Sequence, residues 1–577
     1  MWKGIDCNRN VNLYPAPIRS LHGTKYGYIN NIGRLVIRPQ FDFARSYQDN
    51  GLAIVEIDNH QGAIDSTGRF VVRPRYENVT DFSEGRAIAI NRGNFVMIDD
   101  TGRELTTKPY SFISNFSNGR AYFSGADSQG QYLYGYLDRE GKEVVPLKYI
   151  EASDFKGGIA LVKVKENEYA LIGLDGKVIY TYSYPFVGSL GEGLLSFKQT
   201  ENGKLGYIDI NGTIVINPQF TGAQAFNGGR AIVNIGEDFT DLYGLIDKSG
   251  NYIIKPEYNS ISFLGEERLS IGRYLDKERP YIGQKYAIAD TNGTFLTDYI
   301  YSSVENYNMG VASATNDRYT FFIDKSGKIV KDLPILSGSG TLTIDGNLIR
   351  ALVDMRTSYF NKKSQLVWQQ NKVIPLNYDV RVKEEKFKPD KDYLVYYPKI
   401  QGMSNIETFK NVNKRLERLS NVNEFKLSFE SETSYTGDFD IEFFKKNLLV
   451  IELNSYTFPL GAAHGMPSKI YPHIDIRTGA FYELKDLFRP DSDYVKVLSD
   501  IIDQQIKTNP EYEYVFPDSY KGIKEDQPFY VDENTLYIYF FPYDIAPYAA
   551  GFPTFKIPFK DIMNIINTQG EFWKAFN

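Results

Sequence analysis

Over residues 23–375 aromatic and β-branched residues alternate with polar ones in short runs, and a glycine turn stops each run. Tyr26–Asn30 (YGYIN), Tyr134–Asp138 (YGYLD), Leu205–Asp209 (LGYID) and Tyr243–Asp247 (YGLID) are the clearest. Period-two alternation predicts half-buried strands. The turn that follows has the form Asp-x-x-Gly or a variant of it. Its glycine falls at Gly33, Gly68, Gly102, Gly141, Gly176, Gly212, Gly250, Gly293 and Gly327, at separations of 34 to 43 residues. A tenth, decayed copy (YFNKKSQLVW) has Ser364 in the glycine's place. Positive φ at a hairpin turn accounts for these glycines without a ligand. Behind each turn a β-branched run ends in Pro-x-aromatic (LVIRPQF to Phe41, IVINPQF to Phe220). Proline there suits a strand end or a sheet edge. A third strand follows at Gly-(Arg/x)-Ala, as in FSEGRAIAI from Phe82. Such strands cannot bury an apolar face alone, so neighbouring units must stack to make the core. Nine or ten units exceed the usual four to eight propeller blades, and an open, twisted β-array is preferred over a propeller.

On these residues the unit resembles the WG repeat, also called the KWG repeat, a bacterial β-rich repeat with consensus close to W-G-(Y/F)-I-D-x-x-G-K. The likeness runs from about Lys25 to Trp368. It departs at the name-giving tryptophan, replaced by Tyr26, Gln61, Tyr134, Leu205 and Tyr243, so that position reads as a general hydrophobic slot.

Past Pro375 the period changes. Phe409, Val412, Leu416 and Leu419 recur at helical spacing, as do Tyr494, Val497, Leu498, Ile501 and Ile502, which predicts two amphipathic helices. Strands are expected at NLLVIELNSYTF from Asn447 and TLYIYFFPY from Thr535. The organisation expected is therefore an N-terminal lead (1–22), an all-β repeat array (23–375) and an α+β domain (376–577). YPKIQGMSN (Tyr397–Asn405), FPLGAAHG (Phe458–Gly465), IDIRTGAFYELKDLF (Ile474–Phe488) and the stretch Phe529–Phe559 resemble the RsiV-like domain. That domain is the outer part of certain anti-sigma factors and a neighbour of peptidoglycan deacetylase modules. The resemblance implies a bacterial binding domain; in the anti-sigma relatives the partner is lysozyme.

Composition narrows the function. Of 577 residues, 44 are Tyr, 38 Phe and 3 Trp, a supply suited to strands with one wet face. Net charge is −7, too weakly acidic to point to nucleic acid. Residues 1–375 are neutral, with 41 basic and 41 acidic groups, and the excess acid lies in the last third. Cys7 is the single cysteine, which excludes an internal disulfide and a cysteine zinc site. The first residues carry no apolar run of signal-peptide type, and no stretch long enough to span a membrane occurs, so a cytoplasmic place is expected, with envelope association left open by the resemblance.

Candidate chemistry is sparse. His464 and His473 with Asp475 are a conceivable zinc set, but their spacing matches no metal motif, and local hydrogen bonding of His464 is the simpler reading. No Gly-x-Ser-x-Gly elbow or phosphate loop is present. The loop PYDIAPYAAGFP (Pro542–Pro553) is either an exposed apolar patch or a rigid buried connection. His464, Gly465, Tyr543, Tyr548 and Phe552 are the candidate recognition surface. The expectation is a non-enzymatic binding or scaffolding protein without cofactor, whose partner is a protein or a cell-wall glycan. The alternative is an envelope hydrolase with its site near His464.

Overall fold

The computed structural model describes residues 11–238, 240–403, 405–422 and 432–577; Cys7 lies outside them. Two compact units are present. One comprises Met1–Pro17 and Lys25–Gln369, the other Ile18–Thr24 and Gln370–Asn577.

Among the described residues the first unit is a succession of ten small antiparallel sheets of three or four strands. Each glycine turn follows one recipe. The Asp65 carboxylate accepts from the backbone N–H groups of Thr67 (2.8 Å) and Arg69 (3.1 Å), and the Gly68 N–H returns to the Asp65 carbonyl (2.9 Å). Asp209 and Asp324 repeat this at Gly212 and Gly327. Gly68 sits at φ 82°, and Ser364 takes the same left-handed region at φ 61°. The proline-bearing strand ends its sheet, as in the order Phe43–Ala44, Ala53–Ile57, His60–Ile64, Phe70–Tyr76, where its missing N–H costs no ladder bond.

That order also shows that the sequence unit and the sheet are out of step by one strand. The first unit's Gly-x-Ala strand, Ala53–Ile57, belongs to the second sheet. The first sheet accordingly draws an end strand, Leu13–Ser20, from the segment expected as a lead. Aromatic side chains tie one sheet to the next. The Tyr28, Tyr136 and Tyr207 hydroxyls donate to the carbonyls of Arg45, Ser153 and Gln224 (2.8, 2.8 and 2.7 Å), each 17 residues ahead. Tyr136 and Tyr207 meet Phe155 and Phe226 edge-on, both at 4.9 Å. The aromatic supply is thus an intersheet core.

The all-β repeat class stands, but the preference for an open array is corrected. Tyr14, Ala16 and Ile29 of the first sheet share one buried cluster with Leu348 and Tyr359 of the last. The Tyr359 hydroxyl donates to the Pro15 carbonyl (2.8 Å) and the Asn347 N–H to the Tyr14 hydroxyl (3.2 Å). Each glycine turn elsewhere abuts the preceding sheet: a Cβ on Gly102 would stand 2.8 Å from the Val71 carbonyl oxygen. Gly33, in the first turn, makes that approach to Val367 of the last sheet (2.4 Å). The ends therefore meet, and ten separate sheets close head to tail. Closure removes two apolar end faces from water, which an open array would leave exposed.

In the second unit an eight-stranded sheet runs Val373–Pro375, Arg381–Phe387, Tyr393–Gln401, Thr433–Lys445, Leu448–Pro459, His473–Asp475, Phe481–Tyr482, with Met466–Ile470 also on Leu448–Pro459. Its one parallel pair joins Tyr393–Gln401 to Thr433–Lys445, with helix α1 (Ile406–Leu419) between them in sequence. The Asn405 side chain caps α1 by accepting from Glu407 and Thr408 N–H (both 3.0 Å). Alternation along Leu448–Pro459 divides two cores. Leu449, Ile451 and Leu453 meet Val412 and Leu416 of α1. Leu448 and Val450 face α2 (Tyr494–Thr508), the small sheet Phe529–Val531, Thr535–Tyr539, Thr554–Pro558, and the C-terminal Phe572 and Phe576. The expected α+β arrangement is what the chain adopts. Arg19 is buried in this unit, paired with Glu384 and the Phe439 carbonyl, its guanidinium 4.2 Å over the Phe439 ring.

Candidate functional site

The strand Leu448–Pro459 ends in a short turn, and the chain returns through His464 and Gly465 into Met466–Ile470. Gly465 donates its N–H to the Tyr456 hydroxyl (2.8 Å). A Cβ there would stand 2.3 Å from the Thr457 carbonyl oxygen, so the close return admits only glycine. The pinned turn leaves His464 exposed, with Nδ1 3.1 Å from the Gly465 carbonyl.

The loop of residues 542–553 meets it. Ile545 and Ala546 are buried and anchor the loop, while Tyr543 is 51% exposed and held at φ 73°. A bulky side chain in that left-handed region carries strain. The His464 ring lies 4.4 Å from Tyr548 at 31° and 6.5 Å from Tyr543 at 32°. Tyr543 and Tyr548 are 5.8 Å apart, and the Tyr543 hydroxyl is 3.4 Å from His464 Nε2. Desolvation, then the hydrogen bond with Tyr456, holds the Tyr548 hydroxyl above the usual tyrosine range. The loop is thus both things at once: a buried anchor and an exposed aromatic tip. Phe552 joins a neighbouring group instead, 6.2 Å from Phe541, 6.3 Å from Tyr539 and 5.7 Å from the Lys469 ammonium.

Beside Phe552 lies a strip assembled from segments far apart in the chain, which no single local pattern marks. Glu452 accepts from the Tyr471 hydroxyl (2.7 Å) and pairs with Lys469 (3.1 Å). Tyr471 stacks on Tyr530 (4.5 Å, 23°), and Tyr530 on Tyr537 (4.4 Å, 3°). The Glu442 carboxyl is raised by desolvation and next by Glu452. Tyr471 is pushed up by burial and then by Glu452. The signal available was the period-two row Glu452, Asn454, Tyr456 and the pair Tyr537, Tyr539.

The conceivable zinc set does not assemble. His473 lies flat on Phe529 (4.2 Å, 6°), whereas His464 packs on tyrosines. The Asp475 carboxylate is occupied by the Arg477 and Thr478 N–H groups (2.8 and 3.1 Å). Among the described residues no three His, Cys, Asp or Glu side chains gather to hold a metal. The nine turn glycines lie in the other unit, at sheet-to-sheet contacts.

Five segments, 26–59, 62–95, 134–169, 206–237 and 243–268, match the family described as WG containing repeat. Residues 485–560 match the family described as protein of unknown function (DUF3298). The anti-sigma-V factor RsiV of Bacillus subtilis (strain 168) is 29% identical over 209 residues, covering 32% of this chain and 69% of the relative. A DUF3298 family structure from Bacteroides fragilis is 19% identical with a TM-score of 0.25, over 34% of this chain and 96% of its own. A structure titled the eukaryotic initiation factor is 12% identical with a TM-score of 0.40, over 62% and 96%.

Proposed function

We propose that this chain, a WG-repeat protein with a C-terminal DUF3298 domain, is a non-enzymatic binding protein whose recognition surface is the His464, Tyr543 and Tyr548 cluster. The carrying observation is Tyr543: a large ring, half exposed, in a left-handed conformation, on a loop whose base is buried. A fold has no packing reason to hold an aromatic ring out in a strained backbone, and rigid exposed aromatic groups are what contact surfaces use. Phe552, Lys469 and the Glu452 strip extend the surface with charge of both signs. The partner is a protein at the bacterial cell envelope, as likeness to an anti-sigma factor suggests. Among the described residues no helix is long and apolar enough to cross a membrane.

The test is retention of the full chain on immobilised lysozyme, the partner that the RsiV-like resemblance implies, and on purified peptidoglycan. Lysozyme should retain it, and Tyr543→Ala with Tyr548→Ala should weaken retention at least tenfold at an unchanged melting temperature. Retention by neither, or retention indifferent to both substitutions, sinks the reading. Retention by peptidoglycan alone moves the partner class to a glycan.

A further inference from the structure

A second site lies in the repeat unit, independent of the His464 surface. Where the last sheet meets the first, a cavity of about 550 Å³ remains, within the range of roughly 300–1,000 Å³ typical of small-molecule sites. The last sheet (Gly340–Asp345, Leu348–Val353, Arg356–Asn361, Leu366–Gln369) supplies one wall. On its other face Leu342, Ile349 and Ala351 pack with Phe322 of the preceding sheet. Thr343 pairs across the strands with Arg350, and Thr341 with Leu352, which pairs in turn with Thr357. Alternation puts these five on the face turned to the first sheet, and all five line the cavity. Pro15, Pro17, Tyr26 and Phe43 complete it on the apolar side, with Tyr26 edge-on to Phe43 at 5.6 Å.

Arg350 stands out by its position. It pairs with Tyr359, two residues before the turn at Asn361. The same register position in the second to ninth sheets holds Ile, Leu, Tyr or Ser, among them Ile54, Ile88, Leu161 and Ser313. None is charged. Ile88, for example, is buried with Tyr110 and Phe123 of the next sheet. Packing alone would keep such a side chain in the last sheet as well. Arg350 is instead half-buried, and among the described residues it makes no ion pair. The other charges around the cavity are engaged. Arg45 pairs with Asp81 (3.0 Å), which also accepts from Gln48 (3.1 Å), and Asp345 accepts from the Ser46 hydroxyl (2.8 Å). Burial pushes the Tyr26 and Tyr359 hydroxyls beside Arg350 above the ordinary tyrosine range, so neither supplies a counter-charge.

One uncompensated guanidinium, with Asp81 and Asp345 close by, suits a single negative charge better than a dianion. Its planar fork matches a carboxylate through two parallel hydrogen bonds. The threonine hydroxyls can donate to the same oxygens, and the proline, aromatic and leucine walls suit an apolar body.

We infer that this cavity binds a monoanionic carboxylate carried on an apolar body, with the carboxylate paired to Arg350 and the body against Tyr26, Phe43 and Leu352. The carboxylate can belong to a free small molecule or to the C-terminus of a peptide.

Calorimetric titration of the full chain with phenylacetate, 2-phenylethanol, acetate, phenyl phosphate and N-acetyl-L-phenylalanine tests this. Phenylacetate should bind saturably and at least tenfold more tightly than 2-phenylethanol, which lacks the charge, and than acetate, which lacks the body. In Arg350→Met, which keeps the length of the stem, phenylacetate and 2-phenylethanol should bind equally. Leu352→Trp, which fills the cavity and leaves Arg350 in place, should abolish binding of every probe; it carries the test if Arg350→Met does not fold. Tighter binding of N-acetyl-L-phenylalanine than of phenylacetate identifies a peptide C-terminus as the source, and weaker binding a free molecule. The inference is overturned by no saturable binding, by equal affinity for phenylacetate and either 2-phenylethanol or acetate, or by tighter binding of phenyl phosphate. Discrimination that survives Arg350→Met, or binding that survives Leu352→Trp, overturns it as well.

Discussion

His473 shows how far one side chain's environment departs from its type. A histidine beside Asp475 in sequence reads as a polar pair; in the fold its imidazole is sandwiched by carbon while Asp475 turns to its own backbone loop. The sign of the consequence is set by the depressed pKa. The unfolded chain takes up a proton near the ordinary histidine value of about 6.5, which the folded imidazole refuses until about pH 3. Stability of this unit is therefore complete above about pH 6.5 and falls as pH drops towards 3, by up to about 1.4 kcal/mol per pH unit. Urea midpoints measured between pH 7 and 4 should fall in the native chain and flatten in His473→Phe; parallel slopes would remove His473 as the cause.

Among elements, the two kinds of glycine turn are the informative ones, because the Asp-x-x-Gly-type turn of Gly33 and the Gly-Arg-Ala turn of Gly85 separate two requirements on glycine. Gly33 and Gly85 both have positive φ, 78° and 75°. A Cβ on Gly85 meets nothing within 4 Å, whereas on Gly33 it would stand 2.4 Å from the Val367 carbonyl oxygen. Gly85→Ala should cost only the left-handed penalty of about 1–2 kcal/mol. Gly33→Ala adds a backbone clash across the closing contact, so its melting temperature should fall clearly further; equal losses would mean that the turn's conformation alone selects glycine. The strand Leu13–Ser20 illustrates the opposite case. Its prolines, Pro15 and Pro17, speak against a strand in a linear reading, yet a strand at a sheet's end tolerates them.

Across the repeat unit, closure makes the first and last sheets one cooperative body. Tyr14→Ala empties a site packed on Tyr359, a loss of about 3–5 kcal/mol by analogy with other large-to-small core changes. Amide hydrogen exchange should then quicken in both Gly23–Asn30 and Leu348–Val353, some 320 residues apart in sequence, while Leu205–Asp209 stays protected. Exchange that quickens only beside Tyr14 would argue for independent ends.

Strand content, turn chemistry, the ten-fold repeat and the two helices were legible in the linear order of residues, because each depends on neighbours within a few positions: period two, an Asp-to-Gly turn, period 3.6. The aromatic surplus likewise announced a stacked core. The candidate cluster was legible in part, since His464, Tyr543 and Tyr548 meet while Phe552 sides with Tyr539. Out of reach were the closing contact of Tyr14 with Tyr359, the strip from Glu452 to Tyr537 and the burial of the His473 imidazole against Phe529. Each of these joins segments far apart in the chain, and such pairings are set by which apolar faces the folded chain can remove from water together, a quantity no local pattern carries.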